Sequence, residues 1–379
     1  MRIIPILSWL VVSLLVFTPL SFATESDVDR LLDLLVEKGV VTKDDAAGFR
    51  ADLAVKKQEE KETQTVFNVI AGKPIKFSGY TQARYRQDKT LNNDGFDIRR
   101  VRLNFQGDIT ERFDYRTQAE FGAGSVKLLD AIIGYKVNPY LKLSVGQTFI
   151  PFSQENLISN TKLETINRSQ VVEALAARSQ DVIGDQNGRD IGVQASGSIF
   201  PKADYNLFDY AFGIFNGSGI NSSDKNEQKD FVGRLVFHPL KEWSIGSSYY
   251  NGYGSWATAP STTIRKNDRD RIGAEFAYVK DPFSLKGEYI KGNDGATKKD
   301  GWYLQTGYFF IPKKFQGVFK FDTYDPNTDV DTNETNVYTL GGNWYFNKWA
   351  FLQVNYEFKD QRAKEIDDNA LIGQLTLQF

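Results

Sequence analysis

From Ile75 to the end of the chain, apolar and polar residues alternate with a period of two, the spacing of strands that face two different surroundings. The first stretch, IKFSGYTQARYR, sets Ile75, Phe77, Thr81, Ala83 and Tyr85 on one face and Lys76, Ser78, Gln82, Arg84 and Arg86 on the other. The second sets Val101, Leu103, Phe105 and Ile109 against Arg100, Arg102, Asn104, Gln106 and Asp108. The third sets Phe113, Tyr115, Ala119 and Phe121 against Asp114, Arg116, Gln118 and Glu120. One face suits lipid and the other water. Further strands are expected to start near residues 126, 140, 189, 205, 229, 242, 269, 283, 300, 315, 336, 349 and 369. That makes about 16 strands, an even number and enough to enclose an aqueous lumen.

The connections alternate in length. Thr110-Glu111, Asn138-Pro139, Lys280-Asp281-Pro282 and Asn347-Lys348 are short, whereas 217–228, 253–268 and 325–335 are long. A membrane barrel sorts its connections this way, with tight periplasmic turns and longer extracellular loops, and a soluble β-sandwich has no reason to. The third long loop, from Ile150 to Gly188, runs to some 39 residues, several times the usual length. Within it Thr161–Ala177 has helical character, with Leu163, Ile166, Val171 and Leu175 as its apolar contacts. Such a loop forms a lid or folds into the lumen. The fold class read from this pattern is all-β: a transmembrane antiparallel β-barrel of about 16 strands with an infolded third loop.

Before Ile75 the pattern differs. Arg2, the apolar run Ile3–Leu20 and Ser21-Phe22-Ala23 read as a signal peptide over 1–23, which places the chain in the outer membrane of a Gram-negative cell. Residues 24–72 form a periplasmic segment and linker, helical from Asp27 to Glu62: Leu31, Leu32 and Leu35 recur at helical spacing, Gly39 ends a helix, and Thr42 with Asp45 starts the next. It reads as a hairpin or coiled-coil stalk, or as a frayed linker. The barrel domain takes 73–379.

Composition removes several functions. Mean hydropathy is −0.41 although the chain holds 28 Phe and 18 Tyr, as expected when lipid-facing and water-facing residues average out. The 46 Lys and Arg against 48 Asp and Glu leave a formal charge of −2, so no bulk basic field points to nucleic acid. There is no cysteine for disulfide or thiol chemistry. The single histidine, His238, precedes Pro239 at a periplasmic turn, which leaves Ser-His catalysis and histidine metal sites without their central residue. No catalytic residue, metal or cofactor is predicted, and the chain does not read as an enzyme.

The remaining chemistry is basic. Parity puts Arg84, Arg86, Arg100, Arg102 and Arg116 on the lumen wall; pairing about Thr110-Glu111 sets Arg102 opposite Gln118 and Arg116 opposite Asn104, with Glu120 a partner for Arg100. These arginines either draw anions into the pore or pair with acids to hold the wall. Lys162, Arg168 and Arg178 are candidates in the third loop, offset by Glu164, Glu173 and Asp181. Arg265, Lys266, Arg269 and Arg271 end the fifth extracellular loop; they form an anion funnel, a site for lipopolysaccharide phosphates, or a solvated loop end. The chain closes LIGQLTLQF, an alternating strand whose terminal aromatic, Phe379, is expected to be read by the barrel assembly machinery.

Several stretches resemble one family, the phosphate-selective porins O and P: FSGYTQARY (77–85), FDIRRVRLNFQGDI (96–109), VGQTFIPFSQENL (145–157), GRDIGVQASG (188–197), GIFNGSGIN (213–221) and KDFVGRLVFHP (229–239). Arg99, Arg100, Arg102, Phe152 and Glu155 match the family pattern. The resemblance implies a homotrimer of 16-stranded barrels in outer-membrane lipid, passing small anionic solutes such as phosphate past lumen arginines. A nonselective porin and a tethering role for the N-terminal helix are the competing expectations.

Overall fold

The computed structural model describes residues 32–50, 75–88, 94–122, 124–224, 227–257, 264–362 and 368–379, and the chain divides into two units, Met1–Pro74 and Ile75–Phe379. The signal-peptide expectation over 1–23 and the helical expectation beyond residue 50 lie outside the described residues. In the first unit, helix α1 (32–37) ends at Gly39, whose φ of 68° is the left-handed conformation glycine takes without strain. Helix α2 (43–50) starts at a reciprocal cap, in which the Asp45 amide donates to Thr42 Oγ1 (3.1 Å) and the Thr42 amide to Asp45 Oδ2 (3.3 Å).

The second unit is a closed antiparallel barrel. Its strands are β1 (Lys76–Asp88), β2 (Gly95–Asp108), β3 (Phe113–Glu120), β4 (Lys127–Asn138), β5 (Leu141–Phe149), β6 (Arg189–Pro201), β7 (Asn206–Phe215), β8 (Asp230–Phe237), β9 (Trp243–Asn251), β10 (Tyr253–Ala257), β11 (Ile264–Lys280), β12 (Phe283–Asp294), β13 (Thr297–Ile311), β14 (Phe315–Asp325), β15 (Thr335–Tyr345), β16 (Ala350–Gln361) and β17 (Ala370–Gln378). β9 and β10 both pair with β11, one continuing the other past Gly252, so the wall is sixteen strands wide. β1 pairs with both β2 and β17, and Gly79 exchanges two 3.0 Å backbone hydrogen bonds with Phe379 across the seam. Closure leaves no strand edge in the hydrocarbon.

The two faces invert the soluble rule. Lipid-facing Leu340 and Phe319 are exposed, while lumen-facing Gln353, Lys320 and Thr376 are buried. The β2–β3 register departs from the sequence expectation: Arg102 lies opposite Glu120 and Arg116 opposite Gln106. The cause is the turn, where Thr110 Oγ1 accepts from the amides of Arg112 (3.2 Å) and Phe113 (3.0 Å) and widens the connection by two residues. A shift of two keeps every side chain on its expected face. β13 begins earlier than expected because its ladder with β12 continues up to Asp294↔Thr297, and β11 because its residues 264–268 pair with β10.

The third loop folds inside the barrel. It carries helices α3 (Gln154–Leu157) and α4 (Gln170–Leu175) and a 3-10 turn, Asn160–Lys162. The helix expected over Thr161–Ala177 is therefore mostly replaced by irregular backbone. Wall side chains compete for that backbone: Asn355 Oδ1 accepts from the Ile166 amide (2.7 Å), and Asn343 (2.9 Å) and Gln353 (3.0 Å) donate to the carbonyls of Glu164 and Leu163. On α4, Val171 and Leu175 are fully buried in a cluster with Ile290 of β12 and Tyr303 of β13, while Ile166 packs with Ala370 and Ile372 of β17. An apolar patch on an otherwise polar wall thus fixes where the loop rests.

Candidate functional site

β2 positions the first part of the site through a bulge. Its register against β1 slips between Gln82 and Ala83, so Arg100 pairs with Gln82 while Ile98 pairs with Ala83, leaving Arg99 as the extra residue. Arg99 and Arg100 consequently both point into the lumen. Arg100 Nη1 donates to Gln82 Oε1 (3.0 Å); Arg99 Nη1 donates to the Ile166 carbonyl (3.0 Å) and its Nη2 to Asn167 Oδ1 (2.8 Å). Simple parity missed Arg99. The signal was in the sequence, because the outward apolar residues are even-numbered at Phe96 and Ile98 and odd-numbered from Val101.

The loop supplies two more guanidinium groups. Arg168 donates to the Glu155 carbonyl (3.0 Å), Asn160 Oδ1 (2.5 Å) and the Ile158 carbonyl (2.6 Å), and Arg178 donates to Asn156 Oδ1 (2.7 Å) and the Asn156 carbonyl (3.0 Å). Every one of those acceptors is neutral. Among the described residues, Arg99, Arg100, Arg168 and Arg178 have no carboxylate within ion-pair distance, and all four border one chamber of about 480 Å³. Burial, and then the neighbouring Arg168 charge, push the Arg178 guanidinium well below its ordinary pKa, and burial lowers that of Arg168 despite Glu155 and Glu173 nearby. Charge gathered this closely, with no carboxylate within ion-pair distance of any of the four among the described residues, favours an arriving anion. Five acids also border the chamber, each held by a neutral donor: Glu357 accepts from Asn167 Nδ2 (2.7 Å), Asp322 from Gln170 Nε2 (2.8 Å), Glu173 from Ser179 Oγ (2.6 Å), Asp185 from the Asn187 amide (2.9 Å) and Asp368 from Gln361 Nε2 (2.8 Å). Burial pushes the Glu173 carboxyl up, but Arg178 and the Ser179 hydrogen bond overcome it and hold it below its usual range.

Other sequence candidates are placed differently. Arg84 pairs with Asp97 (2.5 Å), Arg86 with Asp88 (2.6 Å), Arg102 with Glu120 (2.6 Å) and Arg116 with Asp130 (3.1 Å). Glu120 therefore serves Arg102, not Arg100 as expected, because the wider turn moves it two places along β2. Lys162 is exposed and away from the chamber. Arg269 and Arg271 are not part of an exposed funnel: they are 1% and 2% exposed, pointing inward on β11, with Arg269 paired to Asp181 (2.7 Å) and Arg271 to Asp294. Lys266 stays exposed over the Tyr253 ring at 4.6 Å; the Arg265 side chain lies outside the described residues. His238 Nε2 sits 2.9 Å from Asp209, beside the periplasmic turn.

With this geometry in view, the comparisons with known proteins are consistent. A protein from Aquifex aeolicus (strain VF5), described as uncharacterized, is 23% identical over 428 residues, covering 95% of this chain and 96% of that one. The barrel is similar to OprB of Pseudomonas putida (TM-score 0.62, 11% identity, 83% of this chain and 96% of that chain) and to an anion-selective porin from Comamonas acidovorans (TM-score 0.59, 15% identity, 80% and 98%). It is also similar to the outer membrane channel DcaP of Acinetobacter baumannii (TM-score 0.57, 12% identity, 81% and 97%). At such identities the likeness carries the fold alone. The family model described as phosphate-selective porin O and P matches residues 77–252 and 246–379, essentially the whole barrel, and the chain belongs to that family, as a channel of the outer membrane.

Proposed function

We propose that the channel prefers small anions, phosphate or another oxyanion, and that Arg99, Arg100, Arg168 and Arg178 are the station at which they are drawn in. The observation that carries this reading is that, among the described residues, none of the four has a carboxylate partner, on one chamber, beside an infolded loop. Guanidinium groups stay charged and present planar forks of donors to oxyanions. Where the loop narrows the passage, their field concentrates anions and repels cations. Export by residues 1–23, reading of Phe379 by the assembly machinery and a homotrimer belong to the same proposal, and rest on the leader's pattern, the terminal aromatic and the family.

Reversal potential in a salt gradient across a planar bilayer tests it. The wild-type pore should be anion-selective, and R99Q/R100Q should lower the anion-to-cation permeability ratio about tenfold. The change is largest near 0.01 M salt, where the Debye length of about 30 Å leaves the charges unscreened. A cation-selective wild type overturns the reading. An unchanged double variant favours the nonselective porin.

A further inference from the structure

The periplasmic rim carries a second basic group unrelated to the pore. The β13–β14 turn presents Lys313 and Lys314, and the β15–β16 turn presents Lys348. The turns are held side by side by the Tyr345 amide donating to the Lys314 carbonyl at 2.9 Å. All three lysines are exposed and, among the described residues, none forms an ion pair. Four other lysines near the rim are neutralised: Lys136 by Asp108 (2.7 Å), Lys142 by Asp114 (2.7 Å), Lys241 by Asp204, and Lys280 by Glu242 (3.9 Å). The nearby chain-terminal residue, Phe379, is held by Gly79 instead.

Two of the three ammonium groups rest on indole rings, Lys314 Nζ 5.5 Å from the Trp344 centroid and Lys348 Nζ 4.5 Å from that of Trp349. Below them the outward surface is strongly apolar: Phe310 is 65% exposed, Phe346 57% and Trp349 50%. An aromatic belt marks the depth of lipid headgroups, and the short-turn end of the barrel faces the periplasm. The lysines therefore stand at headgroup height beside an acyl-chain surface.

We propose that this patch is a binding site for an anionic phospholipid of the inner leaflet, its phosphate taken by Lys313, Lys314 and Lys348 and its acyl chains laid against Phe310, Phe346 and Trp349. Charge complementarity selects the occupant: a zwitterionic headgroup adds a positive charge beside three lysines that have no ion pair among the described residues, whereas an anionic headgroup does not. Each lysine near a membrane surface favours anionic lipid by about fivefold. The proposal is independent of pore selectivity.

The test is tryptophan quenching in phosphatidylcholine vesicles holding the full chain and small fractions of brominated lipid. Brominated phosphatidylglycerol should quench wild type at a several-fold lower fraction than brominated phosphatidylcholine, the difference shrinking with added salt. K313Q/K314Q/K348Q should lose the difference, and K313R/K314R/K348R should retain it. Equal quenching by the two lipids, or a preference unchanged in the glutamine variant, overturns the proposal. Should the glutamine variant fold poorly, the salt titration on wild type decides, since a salt-independent difference also overturns it.

Discussion

Two groups of arginines point into this barrel, and they differ in one respect. Arg269 and Arg271 on β11 lie against Asp181 and Asp294, and Arg269 also reaches Tyr250 and stands 3.9 Å from Asp230. Arg99, Arg100, Arg168 and Arg178 meet only amide and carbonyl oxygens. Neutral acceptors hold a guanidinium in position without cancelling its charge; carboxylates do both. In the first group Arg269 fastens the loop root to the wall and Arg271 ties β11 to β12, both contributing little field, while the second keeps its field for the lumen. Arginine count or burial alone would not separate them.

The largest effect should come from breaking a member of the paired group. Arg269→Met leaves Asp181 and Asp230 buried without their cation, which costs about 3–5 kcal/mol. Unfolding of the reconstituted barrel, followed by heat-modifiable mobility, should shift accordingly, and adding Asp181→Asn should recover part of the loss. A variant as stable as wild type would mean that the carboxylates are satisfied without Arg269, and the comparison would lose its structural half.

A smaller effect sharpens the boundary between the groups. Arg100 and Arg102 are lumen-facing neighbours on one strand, yet only Arg102 has a carboxylate, Glu120 at 2.6 Å. Arg100→Gln should lower the anion-to-cation permeability ratio about threefold at low salt, whereas Arg102→Gln should change it by less than about twofold. Reversal potentials of the two single variants measure this directly. Equal shifts would show that carboxylate pairing does not set the field.

Much of this arrangement was legible in the sequence, for a physical reason. A strand between lipid and water must alternate, so strand positions and faces could be read from parity, as could the inward direction of Arg84, Arg102 and Arg116. The infolded loop followed from its length and from Val171 and Leu175. What could not be read was set by single local geometries. The Thr110 turn moved Glu120 from Arg100 to Arg102, and the bulge at Arg99 turned an outward-reading residue into the lumen. The long helix expected from Thr161 was lost because Asn343, Gln353 and Asn355, far away in sequence, satisfy the loop backbone instead. Asp181 lies 88 residues from Arg269, so nothing local marked Arg269 as buried and paired.

The smallest predicted effect tests the counter-charge on the chamber. Glu173 of α4 borders the same space as Arg178, and Ser179 donates to its Oε2 from both amide (3.2 Å) and hydroxyl (2.6 Å). Gln keeps an acceptor there and removes the charge, so Glu173→Gln should raise the anion-to-cation permeability ratio by about twofold at low salt. The pH dependence has a definite sign. Because Arg178 and Ser179 hold the Glu173 carboxyl below its ordinary value, it stays ionised at neutral and mildly acid pH and takes a proton only below that value. Wild type and E173Q should therefore keep their separation in reversal potential as pH falls toward that value and converge only beyond it. Convergence already at pH 6 would mean that burial, not the neighbouring guanidinium groups, governs this carboxyl, and that the uncompensated positive field at the chamber is weaker than the four arginines imply.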